Sequence, residues 1–245
     1  MMTKIVKKLL LKKELAGTQN EATRLKWLES TLKKIPAGNR ILDAGAGELA
    51  QSKYCTHLNY VSQDFGQYNG SGDSKGLQTK KWDNTKLDII SDITKIPEPD
   101  SSFDAIMCVE VFEHLPDPIS AIKEFSRLLK TNGSLVLTAP FCSLTHFAPY
   151  HFYTGFNRYF YEKHLIENGF EILEITPNGN FFEYVAQELM RVPFCAEKYS
   201  KSNISIIDKL AILKLTIKLS KLSRKDNGSN EFLNFGLHIL AKKNA

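Results

Sequence analysis

From residue 39 onward, short runs of aliphatic and β-branched residues alternate with stretches of helical period, the pattern of an α/β sheet with helices on both faces. The period-two runs predict strands at Arg40–Ala44, Tyr60–Gln63, Leu87–Ile90, Phe103–Val109, Ser134–Thr138, Phe170–Thr176 and Phe232–Ala241. Helices are expected over Thr18–Lys34, Pro118–Lys130 and Phe156–Glu167. The second has proline just inside its first turn and closes at Asn132-Gly133, and the third ends at Asn168-Gly169, a pair suited to a left-handed cap.

Residues 177–230 are too many for a turn and must carry helices of their own. Within them Lys214, Lys218, Lys221 and Lys225 recur at helical spacing, while Ile206, Leu210, Leu213 and Ile217 are expected on another face. Such a basic amphipathic helix packs on the sheet, on a second subunit or on a membrane surface. The organisation expected is an N-terminal helical cap over residues 1–36 and a sheet domain over 37–245, with a helical insertion at about 177–230.

Composition narrows the class. With 245 residues, 42% hydrophobic and 24% charged, the chain can bury a core without staples and is neither disordered nor fibrous. No apolar run reaches the length of a membrane span, and the lysine-broken N-terminus does not read as a secretion signal. Cys55, Cys108, Cys142 and Cys195 are scattered without metal spacing, so reduced thiols and a cytoplasmic location are expected. The net charge of +5 is concentrated in residues 1–14 and 201–225 on a mildly acidic body. That argues against a continuous nucleic-acid face but permits peripheral contact with an anionic membrane. Oligomeric state leaves no mark.

The strongest chemical signal is Ile41-Leu42-Asp43-Ala44-Gly45-Ala46-Gly47, an apolar strand ending in a carboxylate and a glycine turn. Glycines there let a ligand approach the backbone, whose amides, Ala46 included, can bond an acidic group. Asp64, at the end of the next strand, suits two ribose hydroxyls. Gly45 to Ala50 also fits a dinucleotide fingerprint, which keeps a nicotinamide-dependent oxidoreductase open. Against it, Asp43 would repel a diphosphate yet can hold an ammonium group. Asp92 follows the third strand where an adenine amino group would lie, with Ile93 and Phe65 as apolar walls.

The run Phe103-Asp104-Ala105-Ile106-Met107-Cys108-Val109-Glu110-Val111-Phe112-Glu113-His114-Leu115 completes a set that resembles the class I S-adenosylmethionine-dependent methyltransferases over residues 39–176. The resemblance implies a Rossmann-like seven-stranded, mostly parallel sheet whose last strand inserts antiparallel beside the fifth. It assigns Asp43, Gly45 and Gly47 to the methionine part, Asp64 to ribose, Asp92 and Ile93 to adenine, and Cys108 and Val109 to the floor near the sulfonium. Leu49 stands where many members carry a third glycine. The aromatic stretch Ala139 to Phe170 is similar to methyltransferases of bacterial surface-polysaccharide and small-metabolite pathways.

A methyltransferase acting on a hydroxyl or amine of a small metabolite, with a sugar or polysaccharide precursor as one candidate, follows as the leading expectation. A cofactor-binding module without catalysis, docking on a membrane or partner, is the other rival. In-line methyl transfer depends on positioning, and an alcohol must also lose a proton. His146 and His151 are the candidate bases; Tyr150 and Tyr153 are candidate acceptor walls, and Arg158 a candidate anion clamp unless it pairs with Glu162. A structural role is expected for His114, Glu110 and Glu113. Spacing gives no positive sign of a metal.

Overall fold

The central strands are buried on both faces, and their side chains point alternately into two cores. In β1 (Arg40–Ala44), Leu42 and Ala44 face one layer and Ile41 the other; in β4 (Phe103–Val109), Ile106 and Cys108 oppose Ala105 and Met107. The computed structural model describes residues 15–79 and 81–244. The first layer is closed by α2 (Pro118–Leu128) and α3 (Arg158–Glu167), which contribute Ala121, Ile122, Phe125, Leu128, Tyr161 and Leu165. The second is closed by α1 (Asn20–Leu32) through Leu28 and Leu32.

The remaining strands are β2 (Asn59–Asp64), β3 (Ile89–Ile90), β5 (Leu129–Pro140), β6 (Phe170–Asn178) and β7 (Gly236–Lys243). Their order is β3-β2-β1-β4-β5-β7-β6. The first five run parallel, and β7 lies antiparallel to β5, with Leu135 opposite Ala241 and Thr138 opposite His238. This is the expected mostly parallel, seven-stranded Rossmann-like sheet with its last strand reversed. Order reverses at β1 and β4, so a crevice opens at their carboxyl ends, where ligands bind in such sheets.

Compactness divides the chain into two units, one of residues 25–176 and 236–245, the other of residues up to Arg24 with Pro177–Phe235. The second holds α4 (Phe181–Ser200) and α5 (Ile206–Ser223). In it the Ala16 amide donates to Ser220 Oγ at 2.9 Å. The expected face of α5 differs from the observed one: Thr216 and Ser220 are buried, whereas Ile206, Ile207, Leu210, Leu215, Ile217 and Leu222 are exposed among the lysines. The physical reason is that Ser220, donating to the Thr216 carbonyl and accepting from Ala16, satisfies its hydroxyl locally and fits a close contact that a leucine would not. The basic segment 1–14 and the first part of the expected cap lie outside the described residues. Among the described residues no helix is long and apolar enough to cross a membrane.

Candidate active site

The β1 turn is built for close approach. Gly45 has φ +81°, and a Cβ on it would lie 2.5 Å from Val111 Cγ2; Gly47 has φ +50°, and a Cβ there would lie 2.6 Å from Trp82 Cζ2. Neither contact is possible with a side chain in place. The Gly45 and Ala46 amides both donate to the Gln63 carbonyl, at 2.8 and 2.9 Å, tying the turn to β2. Leu49 adopts φ +61°, supplying at some steric cost the left-handed conformation that glycine gives freely.

Asp43, next to last in β1 and on its α1 face, is 1% exposed, and Tyr60 of β2 donates its hydroxyl to Asp43 Oδ2 at 2.6 Å. Burial pushes this carboxyl up to about 7; the Tyr60 hydrogen bond opposes the shift and the nearby Asp64 adds to it. Asp64 accepts from the Gly47 amide at 3.0 Å and the Gly66 amide at 2.8 Å, one bond on each oxygen. It thereby clamps the glycine turn while each oxygen keeps a lone pair for another donor.

The other predicted cofactor residues are placed unevenly. Phe65 follows Asp64 and meets the Tyr150 ring edge-on, with centroids 5.0 Å apart. Asp92 is exposed and its Oδ1 accepts from the Thr94 amide and hydroxyl, both at 2.8 Å, forming a turn. Ile93 is buried in the α2-side core, as is Cys108, while Val109 packs on the α1 side. Burial raises the Cys108 thiol well above its ordinary range, with Asp43 and Glu113 adding to the shift, so it stays protonated and unreactive.

Three side chains that sequence reasoning passed over complete the crevice. Trp82 stands against Gly47, Val111 against Gly45, and Tyr60 under Asp43. Trp82 meets Tyr68 and Phe147 edge-on, Tyr68 and Phe147 stack at 4.8 Å, and Leu77 bridges to His146. The segment after β2 and the aromatic segment after β5 thus form one wall over the carboxyl ends of the sheet. Trp82 lies between glycine-bearing loops and a lysine, a setting with no periodic signal.

Beyond Phe147, which stacks on His114 at 5.1 Å, lies a histidine cluster. Ring centroids of His146 stand 4.6 Å from His114 and 4.8 Å from His151. The Nε2 atoms of His114 and His146 each lie 3.7 Å from Oε1 of Glu113, which is 1% exposed. The Glu113 carbonyl receives the Phe152 and Tyr153 amides at 2.8 and 3.2 Å, so the loop that carries His151 is fastened to the 3-10 turn Phe112–His114 that follows β4. Burial lowers His114 to about 3, helped by the neighbouring His146, and lowers His151 for the same two reasons. His146 goes the other way: burial opposes its charge, but the Glu113 carboxylate outweighs it.

Tyr150 borders both Phe65 and His114, its carbonyl receiving His114 Nδ1 at 2.5 Å. Tyr153 is 39% exposed and donates to the Pro116 carbonyl at 3.3 Å. Arg158 begins α3 and pairs with Glu162 at 2.7 Å.

Residues 42–137 match the family model described as a methyltransferase domain. Over this segment the chain is similar to the class I S-adenosylmethionine-dependent methyltransferases. It is similar to the ubiquinone biosynthesis O-methyltransferase of Xanthomonas oryzae pv. oryzae, with 31% identity over 105 residues, covering 42% of this chain and 43% of the relative. The match therefore spans less than half the length of that curated relative. Two solved structures share the fold: a putative sarcosine dimethylglycine methyltransferase from Galdieria sulphuraria (TM-score 0.55, 15% identity, 91% of this chain and 86% of that one) and a SAM-dependent methyltransferase from Archaeoglobus fulgidus (TM-score 0.53, 18% identity, 89% and 94%). At such identities the likeness is one of fold.

The family's cofactor is S-adenosylmethionine, and the residues present fit it. Two positions at the turn exclude a Cβ, and the buried carboxylate beside them can face a cation but would repel a diphosphate.

Proposed function

We propose that the protein transfers the methyl group of S-adenosylmethionine to a hydroxyl of a small molecule. The observation that carries this reading is the join of Asp43, the turn whose Gly45 and Gly47 leave no room for a Cβ, and Asp64, which accepts from the Gly47 amide on one carboxylate oxygen and from the Gly66 amide on the other. S-adenosylmethionine, when bound, supplies an electrophilic methyl carbon. Asp43 is placed to hold its ammonium end, Asp64 to accept from ribose, and Phe65 with Tyr150 to give an apolar edge.

The hydroxyl as acceptor is supported by the histidine cluster, which an amine acceptor needs less, and by the likeness to ubiquinone biosynthesis O-methyltransferases. His146 and His151 are the imidazoles able to take the hydroxyl proton, and the aromatic wall of Trp82, Phe147 and Tyr150 keeps water from the acceptor. Whether the acceptor is a phenol or a sugar-like alcohol is answered by product analysis on a panel of each. Calorimetry tests the cofactor step: wild type should bind S-adenosylmethionine, and Asp64→Ala should lose most of that affinity. No binding by wild type at millimolar ligand, or tight binding of reduced nicotinamide dinucleotide instead, defeats the reading.

A separate proposal concerns α5. Its exposed Ile206, Ile207, Leu210 and Ile217 lie among Lys209, Lys214 and Lys218, a composition that fits an anionic lipid surface better than water. The protein should co-sediment with vesicles containing phosphatidylserine and not with neutral ones, and Lys214→Glu with Lys218→Glu should release it. Equal behaviour on both vesicles refutes this attachment.

A further inference from the structure

The contact between Glu113 and its two histidines poses a problem of donors and acceptors. His114 Nδ1 lies 2.5 Å from the Tyr150 carbonyl and His146 Nδ1 lies 2.8 Å from the Leu144 carbonyl. A carbonyl oxygen only accepts, so each Nδ1 carries a hydrogen and donates. In the neutral imidazoles both Nε2 atoms are then bare lone pairs, and both face the same oxygen, Glu113 Oε1, at 3.7 Å. Three acceptors converge with no hydrogen between them. The second carboxylate oxygen, Oε2, is buried and has no hydrogen-bond partner among the described residues.

A single proton on His146 would relieve one of the two contacts and leave the other. A cation relieves both. We infer that Glu113, His114 and His146 form a binding site for one divalent transition-metal ion of the zinc class, at the acceptor side of the crevice; the site adds to the methyltransferase reading and does not depend on it. The fixing of each Nδ1–H by a backbone carbonyl is the arrangement that sets a histidine up for ligation through Nε2. Two nitrogens and a carboxylate oxygen suit zinc or iron rather than magnesium.

Distances agree. The three donor atoms lie within 4.8 Å of one another. Ligands at about 2.1 Å from a tetrahedral ion stand about 3.4 Å apart, so the pairs at 3.7 Å need only a small contraction and a pair at 4.8 Å about 1.4 Å. Three protein ligands leave a position open; with the ion bound His146 has no free nitrogen, so of the two candidate bases only His151 remains outside the set. An acceptor hydroxyl in the open position would be acidified by the ion, with His151 near to take its proton.

The test uses the whole chain, stripped with a chelator and titrated with Zn²⁺ by calorimetry and with Co²⁺ by visible absorption. One ion per chain is expected, with tetrahedral-type Co²⁺ bands. Glu113→Gln and His146→Gln should each weaken Zn²⁺ by roughly 100-fold or more, since changes behind the ligands alone cost about 10–100-fold. Binding of S-adenosylmethionine should be unchanged in both variants. Zn²⁺ should also raise the Tm of wild type and not of either variant. Should one variant fail to fold, the other carries the comparison. Wild type that binds S-adenosylmethionine but neither metal, or Zn²⁺ affinity unmoved by the substitutions, overturns the site; loss of S-adenosylmethionine binding with metal binding intact overturns the cofactor reading instead.

Discussion

Asp43 links folding to pH through its buried carboxyl. Its pKa is about 7 in the folded chain against 3.8 when free, so the folded state holds the proton more tightly. The associated stabilisation is complete below about pH 4 and is lost as pH rises through about 7. Asp43→Asn should therefore flatten the fall in Tm between about pH 5 and about pH 8, and should raise Tm at the upper end; thermal melts at several pH values check both. Binding a cationic group needs the ionised form, so affinity for S-adenosylmethionine should weaken as pH falls below about 7 in wild type. The same residue then trades stability for binding, and opposite trends in the two measurements would tie it to the site. At the adjoining turn, Gly45→Ala adds both a left-handed strain and a 2.5 Å contact with Val111, and should destabilise by roughly 1–3 kcal/mol in denaturant melts.

At the scale of elements, α2 shows how much was written locally. Asp117 caps it by accepting from the Ser120 amide at 3.0 Å, and Pro118 occupies the first turn. Asp117→Ala should cost about 1 kcal/mol, whereas Phe125→Ala, emptying a fully buried site against Phe112, should cost about 3–5 kcal/mol. Urea unfolding of the two variants measures the difference. Strands β1 and β4 were legible to the residue because both faces are apolar and glycine or a carboxylate ends them. Strand β5 begins earlier than the pattern suggests, since Leu129 pairs with Phe103 directly after the helix. The last strand starts later, at Gly236, whose missing Cβ would fall 2.6 Å from the Ala139 carbonyl. Helix α5 was legible as a helix but not in its orientation, because small hydroxyls rather than leucines make its buried contacts. In the crevice, Asp43, Gly45, Gly47 and Asp64 announce themselves by spacing. Trp82, Tyr60 and the Glu113–His146 contact do not, because each depends on segments that only the fold brings together.

For the molecule as a whole, the sheet's connectivity carries a consequence for synthesis. Strand β7 lies between β5 and β6, yet it is made after the entire helical stretch of 177–235. Until it emerges from the ribosome, the bare flank of β5 and the whole of β6 lack their shared neighbour, and their backbone amides and carbonyls are open to pairing with another nascent chain. Pulse-labelled chains halted at residue 235 should be caught by chaperones or precipitate, and release of the final segment should rescue them.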